Sequence, residues 1–255
     1  MAKEEMIRFG SEMLPTFTAK GYQPVLERIC SVIKDQDLQP IDILQGKSIK
    51  PVSEGLETSF VKGFFKAYKM EKCEKLSLSS FLLMDRILVV AVTVIPLEDY
   101  ETPMLVLEWS ETESIISILV DYIPLVDLVM RDGYREQYLD PLKEYWLKFK
   151  DLPGIEPNPF EWARQVLGPY SLFGNIPKDS KQNMEKCMEL FQNYLEVWLT
   201  ICRKAEPIQD NRTKDYIKVR KEKIRKIFLE NDEGSKSMGQ LIGKDLQELT
   251  ALCLF

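Results

Sequence analysis

Hydrophobic positions along the chain change period twice. From residue 2 to about 36 the apolar side chains fall at helical spacing, loosely at Met6, Ile7, Met13 and Leu14 and more strictly at Val25, Leu26, Ile29, Val32 and Ile33. Gly21 and Pro24 divide this stretch into two short predicted helices. Residues 37–57 are rich in turn formers and predict a loop. From about 58 to 124 the pattern becomes short β-branched and aromatic runs, which predict strands over 60–68, 75–83, 87–94, 104–109 and 115–122. Connectors as short as Met84-Asp85 and 110–114 leave no room for crossover helices, so neighbouring strands are expected to run antiparallel.

From Tyr134 onward the period returns to that of helices. A helix is predicted over 137–150, then an ambiguous stretch over 159–176 whose second part, 170–176, is strand-like. Asp179 or Ser180 is placed to cap a long helix running to Lys204, striped by Met184, Cys187, Met188, Phe191, Leu195, Trp198 and Cys202. A second long helix, about 213–229, is expected to bury Tyr216, Ile217, Ile224, Ile227 and Phe228 and to end at Gly234. A final helix from about Gln240 carries Leu241, Leu246, Leu249 and Leu252. Sheet in the middle and helices on either side predict a three-layer α/β/α sandwich with a central antiparallel sheet. One domain is expected over 1–255: a helical and loop part to residue 57, a sheet core over 58–124, and a mainly helical part with a further strand over 125–255.

Composition narrows the chemistry. The 255 residues carry 34 Lys and Arg against 40 Asp and Glu, a formal charge of −6, and no histidine. Ser-His-Asp and Cys-His pairs, imidazole metal sites and histidine-ligated haem are therefore excluded. Acid–base work must come from carboxylates, Tyr, Lys, Cys or water. The negative balance argues against general nucleic-acid binding. Five cysteines, Cys30, Cys73, Cys187, Cys202 and Cys253, are odd in number and form no CxxC pair, which predicts reduced thiols and no iron–sulfur or other metal site. The opening MAKEEMIRFG is charged within three residues, unlike a secretory signal, and the longest apolar run, 87–95, is too short to span a membrane. Neither GxGxxG nor GxxxxGK[ST] occurs, so no nucleotide or flavin site is indicated.

Four features carry candidate chemistry. Glu108 lies in MLVLEW, on one strand face with Met104 and Val106 and opposite Leu105, Leu107 and Trp109. A carboxylate in apolar surroundings is driven toward its protonated form and becomes a proton donor near neutral pH; at a solvated strand end, the commoner situation, it is merely exposed. The same two readings stand for Asp121 in SILVDYIPL, and for Asp232 in ENDEGS, where a loop aspartate usually caps a helix or faces solvent. Residues 212–226 concentrate Arg212, Lys214, Lys218, Arg220, Lys221, Lys223, Arg225 and Lys226 against two acids. Such a stretch either steers an acidic partner or forms a solvated helix face.

The stretches FFKAYKMEKCEKLSLSSF, ILVVAVTVIPLEDYETPMLVLEW and IISILVDYIPL resemble the central sheet of the ferredoxin-dependent bilin reductase superfamily. Within it, TPMLVLEW, DLVMRDGYREQYL, ARQVLGPYSLFGNI, YLEVWLTIC and DYIKVRKEKIRKIFLENDEGS, in order from about residue 58 to 243, most resemble the red chlorophyll catabolite reductase family. The resemblance implies ferredoxin-dependent reduction of a linear tetrapyrrole, red chlorophyll catabolite or a related bilin. Single electrons would come from reduced ferredoxin, with no cofactor bound in the protein and no metal. By position it implies that Glu108 and Asp232 are the pocket carboxylates that act on the pigment. Leu167 would fall where product stereochemistry is influenced, Arg164 would meet a pigment propionate, and Asp121 would belong to the substrate site. The basic residues Lys218, Lys221, Lys223 and Arg225 would then offer a dock for acidic ferredoxin. Some bilin reductases are thought to use a histidine beside the strand carboxylate, which this chain lacks. YIPLVD after Asp121 and KSMGQLIG beyond Asp232 depart from the plant pattern, which implies a pocket of different polarity. A homodimer is compatible with the sequence. The expected compartment is the chloroplast stroma for a plant or algal source and the cytoplasm otherwise. A carrier that binds the tetrapyrrole without reducing it is the competing expectation.

Overall fold

A computed structural model describes residues 22–178 and 181–255. The helix expected around residues 6–14 and the cap expected at Asp179 or Ser180 lie outside them. Helix α1 (Tyr22–Ile33) buries Val25, Leu26, Ile29 and Ile33 as its spacing requires. Pro24 sits inside its first turn rather than before it, where the missing N–H costs nothing. The expected loop over 37–57 instead carries short elements: strands β1 (Gln39–Pro40), β2 (Ile43–Leu44) and β3 (Lys47–Ser48), a single-turn helix α2 (Lys50–Ser53), and β4 (Leu56–Glu57). Elements of two to four residues leave no periodicity to read.

Five long strands follow where the β-branched runs predict them: β5 (Val61–Met70), β6 (Cys73–Leu83), β7 (Ile87–Pro96), β8 (Met104–Glu111) and β9 (Ile115–Ile123). With the later strands β10 (Ile155–Glu156) and β11 (Leu172–Pro177) they form a nine-stranded sheet in the order β1-β5-β6-β7-β8-β9-β11-β10, with β4 alongside β5. Every pairing is antiparallel. The helix expected over 137–150 is broken into a π turn (Arg135–Leu139), a 3-10 turn (Asp140–Leu142) and α3 (Lys143–Phe149). Pro141, which has no N–H to give, interrupts the ladder. The ambiguous stretch resolves into a single-turn helix α4 (Glu161–Arg164) followed by β11.

Both faces of the sheet are covered. On one, Leu88, Val90, Val92, Leu105, Leu107 and Trp109 are fully buried beneath α1 and the long helix α5 (Lys181–Lys204). The Trp109 and Phe191 rings meet edge to face at 5.7 Å, Trp198 Nε1 donates to the Pro103 carbonyl at 2.9 Å, and Arg28 pairs with Glu185 at 2.6 Å. The other face is covered by α6 (Asn211–Asn231), α7 (Glu233–Ile242) and α8 (Lys244–Leu254). Lys75 Nζ donates to the Leu252 carbonyl at 2.5 Å and the Ser77 hydroxyl donates to the Cys253 carbonyl, so two β6 side chains hold the last turn of α8. No helix among the described residues is long and apolar enough to cross a membrane, and all five cysteines are buried.

Helix α6 differs from its sequence reading in three ways. Asp210 caps its start, accepting from the Thr213 amide at 3.0 Å. It stops at Asn231, with Asp232 as cap, and Gly234 falls in the first turn of α7 instead of ending α6. Tyr216, expected inside, is exposed, whereas Lys221 occupies the buried stripe with Ile217, Ile224 and Phe228 and is only 3% exposed. Its ammonium meets Glu74 at 2.7 Å, the Pro96 carbonyl at 2.7 Å and Glu98 at 3.6 Å, while Arg225 pairs with the same Glu74. Burial alone would raise the Glu74 carboxyl, but these two cations outweigh it and hold Glu74 below its ordinary value. Replacing Lys221 by Met should leave the Pro96 carbonyl unpaired and lower stability by about 2–4 kcal/mol. Urea unfolding of the variant at neutral pH measures this, and an unchanged midpoint would show that the tie does not hold α6.

Candidate functional site: an acid-lined cavity between sheet and C-terminal helices

Because strand side chains alternate, burying Leu105, Leu107 and Trp109 under α5 turns Val106, Glu108 and Ser110 toward α6, α7 and α8. These three form part of the floor of a cavity of about 350 Å³, within the range of small-molecule sites. The rest of the floor comes from Ser79, Phe81, Ala91 and Thr93 on β6 and β7, and from Ser117 and Leu119 on β9. Trp162, Ala163, Leu167, Phe228, Asp232 and Met238 are among the residues that close it from the other side. Aromatic rings dominate that side. Trp162 lies 5.1 Å from Phe228, Phe228 lies 4.7 Å from Phe255, and Phe160 lies 6.2 Å from Phe173. Such walls suit a flat conjugated ligand.

Glu108 and Asp232 both line the cavity, and no lysine or arginine does among the described residues. By surface area Glu108 is exposed, and what it is exposed to is this cavity; the protein packed around the strand still limits hydration of its carboxyl. Burial pushes its pKa up to about 7, and the nearby charge of Asp232 pushes in the same direction. Asp232 is fixed by its position between two helices: its amide donates to the Phe228 carbonyl at 2.9 Å and its Oδ1 accepts from the Gly234 amide at 3.0 Å. The arrangement therefore presents one carboxyl that exchanges its proton near neutrality beside a second that is anchored by a helix start.

Asp121 lies on the same sheet face, opposite Val106, but it is fully buried and does not line the cavity. Burial raises its pKa to about 7, against the lowering effect of the Gly168 and Tyr122 amides. Its two oxygens accept from the Gly168 amide at 2.9 and 3.2 Å. A Cβ at Gly168 would stand 2.3 Å from the Tyr122 carbonyl, so only glycine fits there. Asp121 thus holds the segment that carries the cavity-lining Leu167. Arg164 is exposed and outside the cavity wall, one residue beyond the lining Ala163.

Of the four residues expected to form a basic dock, Lys218 and Lys223 are exposed on α6. Lys221 and Arg225 are turned inward onto Glu74, so they are corrected from docking residues to structural ties. Sequence reasoning missed Ser79, Thr93, Ser117, Asn158 and the aromatic side of the cavity. Ser77, Ser79 and Phe81 share the face of β6 that pairs, through Ala91, with Glu108. Pairing the predicted strands in register would have brought Ser79 into view; nothing local marks Asn158. Among the described residues no three potential ligands gather to hold a metal ion.

The raised Glu108 pKa has a thermodynamic consequence. Its folded value of about 7 lies above the ordinary 4.5, so holding the ionised form costs folding free energy that grows as pH rises from about 4.5 to 7. Glu108→Gln should therefore raise the melting temperature at pH 8 and change it little at pH 4. An equal effect at both pH values would show that Glu108 titrates normally.

A family model for ferredoxin-dependent bilin reductases matches residues 26–248. The 15,16-dihydrobiliverdin:ferredoxin oxidoreductase of Nostoc punctiforme is 23% identical over 191 residues, 74% of this chain and 75% of that protein. In fold, the chain is similar to the crystal structure of tomato phytochromobilin synthase in complex with biliverdin, with a TM-score of 0.74 at 17% identity, over 89% of this chain and 81% of that one. The central antiparallel sheet flanked by helices is that fold. The chain belongs to the ferredoxin-dependent bilin reductases, oxidoreductases that act on linear tetrapyrroles with electrons from ferredoxin.

Proposed function

We propose that this protein reduces a bilin within the cavity between the sheet and α6–α8, taking single electrons from ferredoxin and protons through Glu108. The observation that carries this is the pairing of Glu108, poised near neutral pH, with Asp232 in an aromatic cavity that no lysine or arginine lines among the described residues. Saturating one double bond of the pigment consumes two electrons and two protons. A neutral Glu108 gives a proton to the pigment as an electron arrives, which keeps charge from accumulating in an apolar space. Loss of that proton leaves two carboxylates facing each other, an arrangement that favours reprotonation from water before the second electron. Asp232 serves as acceptor for pyrrolic N–H groups and holds the pigment against the floor.

Both reported relatives are described by bilins, which supports a bilin as substrate. Red chlorophyll catabolite is the second reading, supported by the glutamate rather than aspartate at position 108. With no lysine or arginine lining the cavity among the described residues, carboxylates of either pigment are placed at its rim, where Arg164 is exposed beside the wall. The outer face of α6 carries Lys218 and Lys223, and Phe228 and Asp232 of the same helix reach the cavity. Lys223 and Lys218 lie roughly 7.5 and 15 Å before Phe228 along the helix axis, so a donor docked over Lys223 comes nearer to the cavity.

The deciding assay is anaerobic, with biliverdin or red chlorophyll catabolite, reduced ferredoxin and its reductase. Conversion of biliverdin is expected; a spectral shift on mixing with no later conversion of either pigment would make the protein a carrier. Glu108→Gln and Asp232→Asn should each lower turnover about 10²–10⁴-fold while pigment binding persists, and wild-type turnover in both would refute their roles. Charge reversal at Lys218 and Lys223 together should raise the KM for ferredoxin several-fold at low salt and converge on wild type at high salt. Unchanged kinetics at low salt would move the dock elsewhere.

A further inference from the structure

One row of paired residues crosses the middle of the sheet. Phe65, Ser79, Ala91, Glu108, Leu119 and Phe173 stand side by side on β5, β6, β7, β8, β9 and β11. Residues paired in this way share a face, and all but Phe65 line the cavity. Two of the row carry polar side chains, Ser79 and Glu108, with Ala91 between them.

Ser79 is 1% exposed, and its Oγ has no hydrogen-bond partner among the described residues. Buried hydroxyls are nearly always paired, because leaving one unmade destabilises the fold. The contrast with Ser77 is direct. That serine points from the same strand to the same face, and its hydroxyl is spent on the Cys253 carbonyl at the end of α8. Beyond it α8 ends, the cavity begins, and Ser79 forms part of the cavity wall with its hydroxyl covered but unpaired. Ala91 has no bulk to cover the gap. A ligand lying flat on the floor can pass over Ala91 and touch both Ser79 and Glu108, whose strands are two spacings, or about 10 Å, apart.

Within this row the floor therefore has two polar points, Glu108 with a role proposed above and Ser79 without one. We infer that Ser79 is a ligand-binding residue: its hydroxyl hydrogen-bonds a polar atom of an outer ring of the bound tetrapyrrole, a lactam oxygen or ring nitrogen, while the inner nitrogens face Glu108. The inference rests on the bilin reading of the same cavity and adds to it a contact that fixes which end of the pigment lies over β6. A linear tetrapyrrole suits the spacing. Its inner nitrogens gather near the centre of the curled molecule and its lactam oxygens lie at the two ends, so polar atoms are available at both points.

The test separates a ligand contact from a structural hydroxyl. Wild type and Ser79→Ala are melted without pigment and then titrated with biliverdin and with red chlorophyll catabolite, following the absorption bands. Without pigment the variant should melt at the wild-type temperature or above it, since it loses only an unpaired hydroxyl. With pigment its Kd should rise about five- to tenfold, the effect of one hydrogen bond. A lower melting temperature without pigment would make Ser79 structural and overturn the inference. A wild-type Kd in Ser79→Ala would overturn it as well, leaving the bilin reading intact. Failure of the wild-type protein to bind either pigment would remove both at once.

Discussion

The register of β8 in the sheet is the constraint on which the rest of the structure depends. Leu105, Leu107 and Trp109 pack under α5, and Trp109 is locked edge to face on Phe191. Once those three side chains are committed, the intervening residues have no choice of direction. Glu108 must face the other layer, opposite Ala91 on one side and Leu119 on the other. A slip of one residue would place Glu108 beneath α5 and Trp109 in the cavity, exchanging every side chain of the strand between faces. The function of the site and the stability of the core are thus settled by the same pairing.

Among the described residues, no lysine or arginine lines the cavity beside its acids. Lys221 and Arg225, the cations on the inner side of α6, are spent on Glu74 at the end of the sheet. Asp121 meets an amide rather than a cation and is sealed away from the ligand space. Glu108 and Asp232 line the same small volume, and the charge of Asp232 favours the protonated form of Glu108. A tetrapyrrole offers N–H groups together with the flat surface that the Trp162, Phe228 and Phe255 cluster accepts. The proposed chemistry rests on this pair of residues.

Much of the sheet was legible in the sequence because β5 to β9 are long enough to show their pattern and short connectors leave them only antiparallel partners. The facing of Glu108 followed from alternation alone. Its partnership with Asp232 did not: the two are far apart in the chain, and only the family resemblance brought them together before the structure did. The inward turn of Lys221 was readable, since it falls on the stripe of Ile217, Ile224 and Phe228, but charge composition drew attention to the whole stretch as a surface. Arg164 was placed in the pocket by position in the family pattern, and the single turn of α4 points it outward while Ala163 and Leu167 line the wall. Ser79 went unseen because a serine in an apolar strand has no signal until its cross-strand neighbours are known.

The central claim is that Glu108 titrates near neutral pH because the protein packed around it limits its hydration and Asp232 lies beside it. Carbon-13 NMR titration of glutamate-labelled protein, with Glu108→Gln to assign the resonance, measures this directly in wild type and in Asp232→Asn. The account predicts a Glu108 pKa near 7 in wild type that falls when Asp232 loses its charge. A value near 4.5 in both proteins would contradict it.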